Sequence, residues 1–177
     1  MKLHIGCGMK YLPGYKHMDA RKIGDHIDYV GDAGDLSMFE DNSIEEIYAC
    51  HILEHISRRE VDKVLMEWHR VISNGGKLRI AVPDFDAIVA FYNETHDLDK
   101  IMGLLYGGQD YEYNFHYGTF SFSFLERKLE QAGFKNVEVY SWQNFLPEGY
   151  DDFSRAYIPH MDFENGRLMS LNVLATK

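Results

Sequence analysis

Apolar residues fall into short runs, each closed by glycine, aspartate or proline, and later in the chain they recur at helical spacing. Lys2–Ile5 stops at Gly6, Lys16–Met18 at Asp19, and Ile27–Val30 at Gly31-Asp32, while Ile44–Cys50 reads IEEIYAC. Such near-continuous short runs suit strands buried on both faces of a parallel sheet. The spacers are unusual. Between Gly8 and Lys16 there is no room for the ten or more residues of a crossover helix, so the N-terminal half is expected to be truncated.

The pattern then changes period. Ser57 and Glu60 have the spacing of a capping box, and Val61, Val64, Leu65, Trp68, Val71 and Ile72 recur at i, i+3, i+4 and i+7, the apolar stripe of a helix. Asn74-Gly75-Gly76 is read as its end, and Lys77–Val82 (KLRIAV), closed by Pro83, as a fifth strand. Asp84 caps a further helix to about Thr95, and a short helical stretch follows to Tyr106. Residues 107–119 are a polar, aromatic-rich loop. Ser123 and Glu126 predict a second capping box, on a helix that stops at Gly133. Val137–Trp142 and Met169–Ala175 are the sixth and seventh strands. No helical pattern separates these two, so the last is expected to run antiparallel. The implied fold is α/β: one domain over residues 1–177, a doubly wound, Rossmann-like, mostly parallel seven-stranded sheet.

Composition narrows the partners. The chain has 177 residues, 45% of them hydrophobic, enough for one core. A formal net charge of -10 with no basic stretch argues against nucleic acid. No apolar run is long enough to span a bilayer, and two cysteines with no secretory-type opening segment point to a cytoplasmic protein.

The most informative motif is Leu3-His4-Ile5-Gly6-Cys7-Gly8, followed by Asp19 at the end of the next strand. Glycines at a strand's C-terminal end let backbone N–H groups approach a ligand, and a carboxylate at the neighbouring strand tip can take both hydroxyls of a ribose. Together they describe a nucleoside site. These residues, with Gly31-Asp32-Ala33, the block Cys50–His55, Trp68–Asp84 (WHRVISNGGKLRIAVPD) and Leu129–Phe134 (LEQAGF), resemble the class I S-adenosylmethionine (SAM)-dependent methyltransferases of the type 11 group, in a compact form lacking the usual N-terminal extension. The resemblance implies that Gly6, Cys7 and Gly8 line the methionine side of SAM and Asp19 holds its ribose. It further implies that Asp32 and Ala33 receive the adenine, and that Cys50 and His51 face the methyl end.

Methyl transfer from a sulfonium needs collinear donor and acceptor and little water, plus a base only where the acceptor must lose a proton. His116, in the aromatic loop, is the first candidate base, and Asp84 the second. His51-Ile52-Leu53-Glu54-His55 also spells H-x-x-E-H, but it leaves a strand rather than lying on an established helix. No metal is expected there, and Glu54 and His55 are expected to hydrogen-bond neighbouring loops. A nicotinamide-dependent oxidoreductase is disfavoured because Tyr11 stands where the dinucleotide fingerprint needs its third glycine. A non-catalytic scaffold of the same fold remains the alternative. Absence of a basic groove favours a small molecule or a saccharide as acceptor, and the resemblance implies O-methylation.

Overall fold

The computed structural model describes residues 1–177. Its main sheet comprises β1 (Lys2–Ile5), β2 (Lys16–Asp19), β3 (Tyr29–Val30), β4 (Ile44–Cys50), β5 (Ile72–Pro83), β6 (Lys135–Val139) and β9 (Ser170–Thr176). Their order is β3-β2-β1-β4-β5-β9-β6. The first five pair in parallel, and β9 runs antiparallel between β5 and β6. β7 (Tyr157–Ile158) and β8 (Arg167–Leu168) form a separate hairpin that no periodicity announces. The helices are α1 (Val61–Val71), α2 (Phe85–Thr95), α3 (Met102–Tyr106) and α4 (Phe122–Gln131). No helix stands between β1 and β4, as the short spacers demand.

Alternation along the strands sorts the two faces. Leu3 and Ile5, Ile47 and Ala49, Leu78, Ile80 and Val82, and Leu171, Val173 and Ala175 pack on one face with the apolar stripes of α1 and α4. On the opposite face, Tyr48, Cys50 and Ala81 pack against Leu12 and Leu146, with Tyr15, Trp142, Phe145 and Tyr150 around them. That second face is therefore covered by irregular chain around residues 142–150 where a crossover helix would ordinarily lie.

Local expectations fail where long-range partners intervene. Neither capping box forms: Ser57 Oγ receives only a long bond from Arg59 N at 3.4 Å, Glu60 reaches Lys63 at 2.8 Å, and α1 begins at Val61. α4 begins at Phe122, one residue before the expected cap. Asn74-Gly75-Gly76 lies inside β5 rather than ending a helix, because Gly75 N donates to Lys177 O and Lys177 N to Gly76 O, which extends the segment along the end of the chain. Gly75 takes φ +77° in the irregularity between Ile44 and Glu46 pairing. β6 starts and ends earlier than expected, with Trp142 in a 3-10 turn.

Candidate functional site

In a sheet of this order the direction of strand succession reverses between β1 and β4, and ligands bind beyond the carboxyl ends of the strands at such a point. There the structure holds a cavity of about 900 Å³, bordered by Gly6, Cys7, Gly8, Asp19, Asp32, Ala33, Cys50, His51 and His116. Nine of the ten residues singled out in the sequence thus meet in one chamber. Asp84 is the tenth, and it does not border this chamber. It lies past the end of β5, one strand further along, beside a separate pocket of about 320 Å³. Its carboxylate caps α2 by accepting from Asp86 N and Ala87 N at 3.0 and 3.3 Å.

The glycine turn is built by backbone geometry. Gly6 (φ +64°) and Gly8 (φ +56°) adopt left-handed conformations that favour glycine. Gly6 N donates to Met18 O at 2.8 Å, so the β1–β2 ladder continues into the turn. The Asp19 carboxylate then ties the two strand ends together, accepting from Gly8 N at 2.9 Å and Arg21 N at 3.1 Å. A side chain at Gly6 would run into Ile52, whereas Gly8 faces open space.

The adjoining wall is held by α1. Trp68, fully buried, donates its indole N–H to Ala33 O at 2.7 Å, and Asp32 accepts from Gly34 N at 2.7 Å. Glu67 accepts from Leu36 N, and Arg70 donates to Leu36 O and Phe39 O. Side chains of one helix thereby fix a β3–β4 connection that has no helix of its own.

At the end of β4, His51 has φ +52°, uncommon for a residue with a side chain, and such strain collects at functional sites. Its ring reaches Ser170 Oγ at 3.1 Å through Nε2, and Nδ1 stands 3.1 Å from Glu54 Oε1. Glu54 is fully buried, and neither carboxylate oxygen has an aligned hydrogen-bond partner. Burial opposes its ionisation, but the neighbouring His51 and then His55 outweigh it and hold the carboxyl below its usual range. The expectation that Glu54 bonds a loop holds for its backbone, which accepts Tyr117 N at 2.7 Å, and fails for its side chain. His55 Nδ1 does reach the loop, at Phe115 O, 3.2 Å. His116 Nδ1 reaches Leu104 O at 2.9 Å, and burial lowers its pKa, favouring a neutral ring. Burial pushes Cys7 up to about 12 and Cys50 well above the usual thiol range, so both stay protonated and unreactive at neutral pH.

The cavity's remaining walls come from two irregular segments. The aromatic loop supplies Tyr111, Tyr113 and Tyr117, with Arg21 stacked 4.5 Å from the Tyr111 ring centre. Asp152, Phe153 and Tyr157 come from the segment after β6. Tyr48 donates to Asp152 at 2.6 Å and Asn172 donates to Ser154 O at 2.8 Å, pinning that segment to the sheet. Composition marked residues 107–119 as a loop, and only these long-range bonds decide where the later segment lies.

Residues 3–80 match the family described as methyltransferase domain. Among curated proteins no sequence matches significantly. Solved structures with this fold include a SAM-dependent methyltransferase from Archaeoglobus fulgidus, at 15% identity and TM-score 0.59 over 99% of this chain and 85% of that one. One from Methanosarcina mazei has 17% identity and TM-score 0.58, covering 99% and 91%. Another, from Thermotoga maritima, has 15% identity and TM-score 0.58, covering 99% and 81%.

Proposed function

We propose, for a chain whose residues 3–80 match a methyltransferase domain and whose fold over nearly its whole length is that of solved SAM-dependent methyltransferases, that it O-methylates a small molecule or a saccharide by in-line transfer from SAM. The observation that carries the reading is the convergence of the glycine turn, Asp19, Asp32-Ala33 and Cys50-His51 on one cavity of about 900 Å³, large enough for cofactor and acceptor together. The residues suit SAM. Asp19 takes the ribose hydroxyls, exchanging one of its backbone partners for them. Asp32 and Ala33 receive the adenine, and Gly6, Cys7 and Gly8 pass under the methionine portion without a side chain at Gly8 to obstruct it. Cys50 and His51 border the methyl end.

The donor supplies an electrophilic methyl group on sulfur. The protein's share is to align an acceptor oxygen with it, exclude water under the aromatic loop and the Asp152–Tyr157 segment, and dispose of the acceptor's proton. His116 is the direct candidate for that last task. The alternative, a scaffold of the same fold without turnover, has no comparable observation behind it, since a chamber of this size with an imidazole at its wall is more than a scaffold requires.

Calorimetry with SAM, S-adenosylhomocysteine and NAD tests the cofactor: binding of the first two and not the third is expected, and Asp19→Ala should weaken it at least tenfold. Binding of NAD alone, or of none, would overturn the reading. In an acceptor screen followed by release of S-adenosylhomocysteine, hydroxylated acceptors should turn over, and His116→Ala should lower turnover about a hundredfold or more.

A further inference from the structure

Glu54, His55 and His116 bring a carboxylate oxygen and two imidazole nitrogens within 4.8 Å of one another. Three features set this group apart from an incidental cluster. The Glu54 side chain is fully buried with only the misaligned His51 Nδ1 near Oε1, so neither oxygen has an aligned donor and a cation would supply the missing partner. Each histidine engages its Nδ1 with a main-chain carbonyl, His55 with Phe115 O and His116 with Leu104 O. That leaves Nε2 as the free nitrogen on both rings, and metal-ligating histidines are characteristically held this way through their other nitrogen. The two rings also meet edge to face with centres 4.6 Å apart, although they are sixty-one residues apart in sequence. A bond from Tyr117 N to Glu54 O, 2.7 Å, joins their segments.

We infer that Glu54, His55 and His116 form a binding site for a divalent transition-metal ion at the wall of the cofactor cavity. Two imidazoles and one carboxylate suit zinc, cobalt or ferrous iron, while magnesium prefers an all-oxygen shell. Ligand atoms around a zinc ion at about 2.1 Å stand roughly 3.4 Å apart, so side-chain rotations on the order of an ångström close the group onto an ion. His51 is not part of the set; its contact with Glu54 Oε1 helps to orient the carboxylate. His55 and His116 both border the cavity, so the ion's open positions face the space where an acceptor would lie. An oxygen ligand, such as an acceptor hydroxyl or carboxylate, completes the shell, and with the ion bound His116 serves as its ligand in place of the base, the ion lowering the pKa of a bound hydroxyl. This last step rests on the methyl-transfer reading; the ion site itself does not.

The test therefore begins without turnover. Chelator-treated full-length protein is titrated with Zn²⁺ by calorimetry and with Co²⁺ by visible absorption, beside His116→Asn, His55→Asn and Glu54→Gln. His96→Asn serves as a control outside the group. One equivalent should bind at micromolar or tighter Kd, with Co²⁺ bands of mixed nitrogen and oxygen ligation. Each of the three variants should weaken binding at least tenfold, and His96→Asn should not. His116→Asn lies on a loop and keeps the proposal testable if Glu54→Gln fails to fold, which circular dichroism reports. Absence of stoichiometric binding, binding indifferent to these substitutions, or tight binding of Mg²⁺ in place of Zn²⁺ would overturn the site and return His116 to the direct role of base. If Zn²⁺ binds while SAM does not, the methyl-transfer reading falls and the metal site stands.

Discussion

Two glycines of one turn carry different constraints. Both Gly6 and Gly8 have left-handed backbones, for which a side chain costs about 1–2 kcal/mol. At Gly6 an added Cβ would in addition run into the Ile52 side chain, while at Gly8 it would meet nothing within 4 Å. Gly6→Ala should thus lower stability by roughly 2–4 kcal/mol and Gly8→Ala by about 1–2 kcal/mol in urea unfolding. Gly8→Ala should be the more damaging to SAM binding relative to its stability cost, because it intrudes on the open space of the cavity. Equal unfolding costs for the two variants would contradict the role given to Ile52. The G-x-G spelling was legible in the sequence, but the distinction between its two glycines was not, since Ile52 lies forty-six positions from Gly6 along the chain.

Secondary elements were most legible where one helix face or one strand decided the matter. The stripe from Val61 to Val71 and the runs Lys2–Ile5 and Ile44–Cys50 appear as read. Caps were less legible, because Ser and Glu at the right spacing can find other partners. The contrast is measurable. Asp84 makes both cap bonds to α2, so Asp84→Ala should cost about 1 kcal/mol of stability, while Asp84→Asn, which keeps an acceptor, should cost less and leave turnover within a factor of about two. Ser57→Ala, removing a hydroxyl that caps nothing in α1, should change stability by less than about 0.5 kcal/mol. A loss of turnover in Asp84→Asn at unchanged stability would restore a catalytic role to Asp84.

Across the whole molecule, the lack of a helix between β1 and β4 goes with an unusual feature. His4 and His17 lie buried on the strands β1 and β2, edge to face at 5.7 Å, with Tyr11 stacked on His17 and Tyr48 against His4. Burial, and then the nearby His17 and His26, lower the His4 pKa from 6.5 to about 3. Above pH 6.5 both folded and unfolded chains carry it neutral. Between 6.5 and about 3 the unfolded chain binds a proton that the folded one rejects, so stability falls as pH falls through that window. His4 alone should contribute a slope approaching 1.4 kcal/mol per pH unit, and His4→Phe, which keeps a ring, should remove that share from the measured pH dependence of unfolding. An unchanged slope in the variant would mean that His4 is protonated in the folded state.

The sequence by itself determined the strand succession, the absent early helices and the residues at the strand tips, because each follows from local spacing. It carried the antiparallel last strand too, through the lack of any crossover pattern before Met169. Only the tertiary structure decided that Asp84 stands outside the cavity, that residues around 142–150 cover one sheet face in place of a helix, and that His55 and His116 converge on a buried Glu54. Those outcomes depend on contacts between segments far apart in the chain, such as Tyr48 with Asp152 and Trp68 with Ala33, and no periodicity records them.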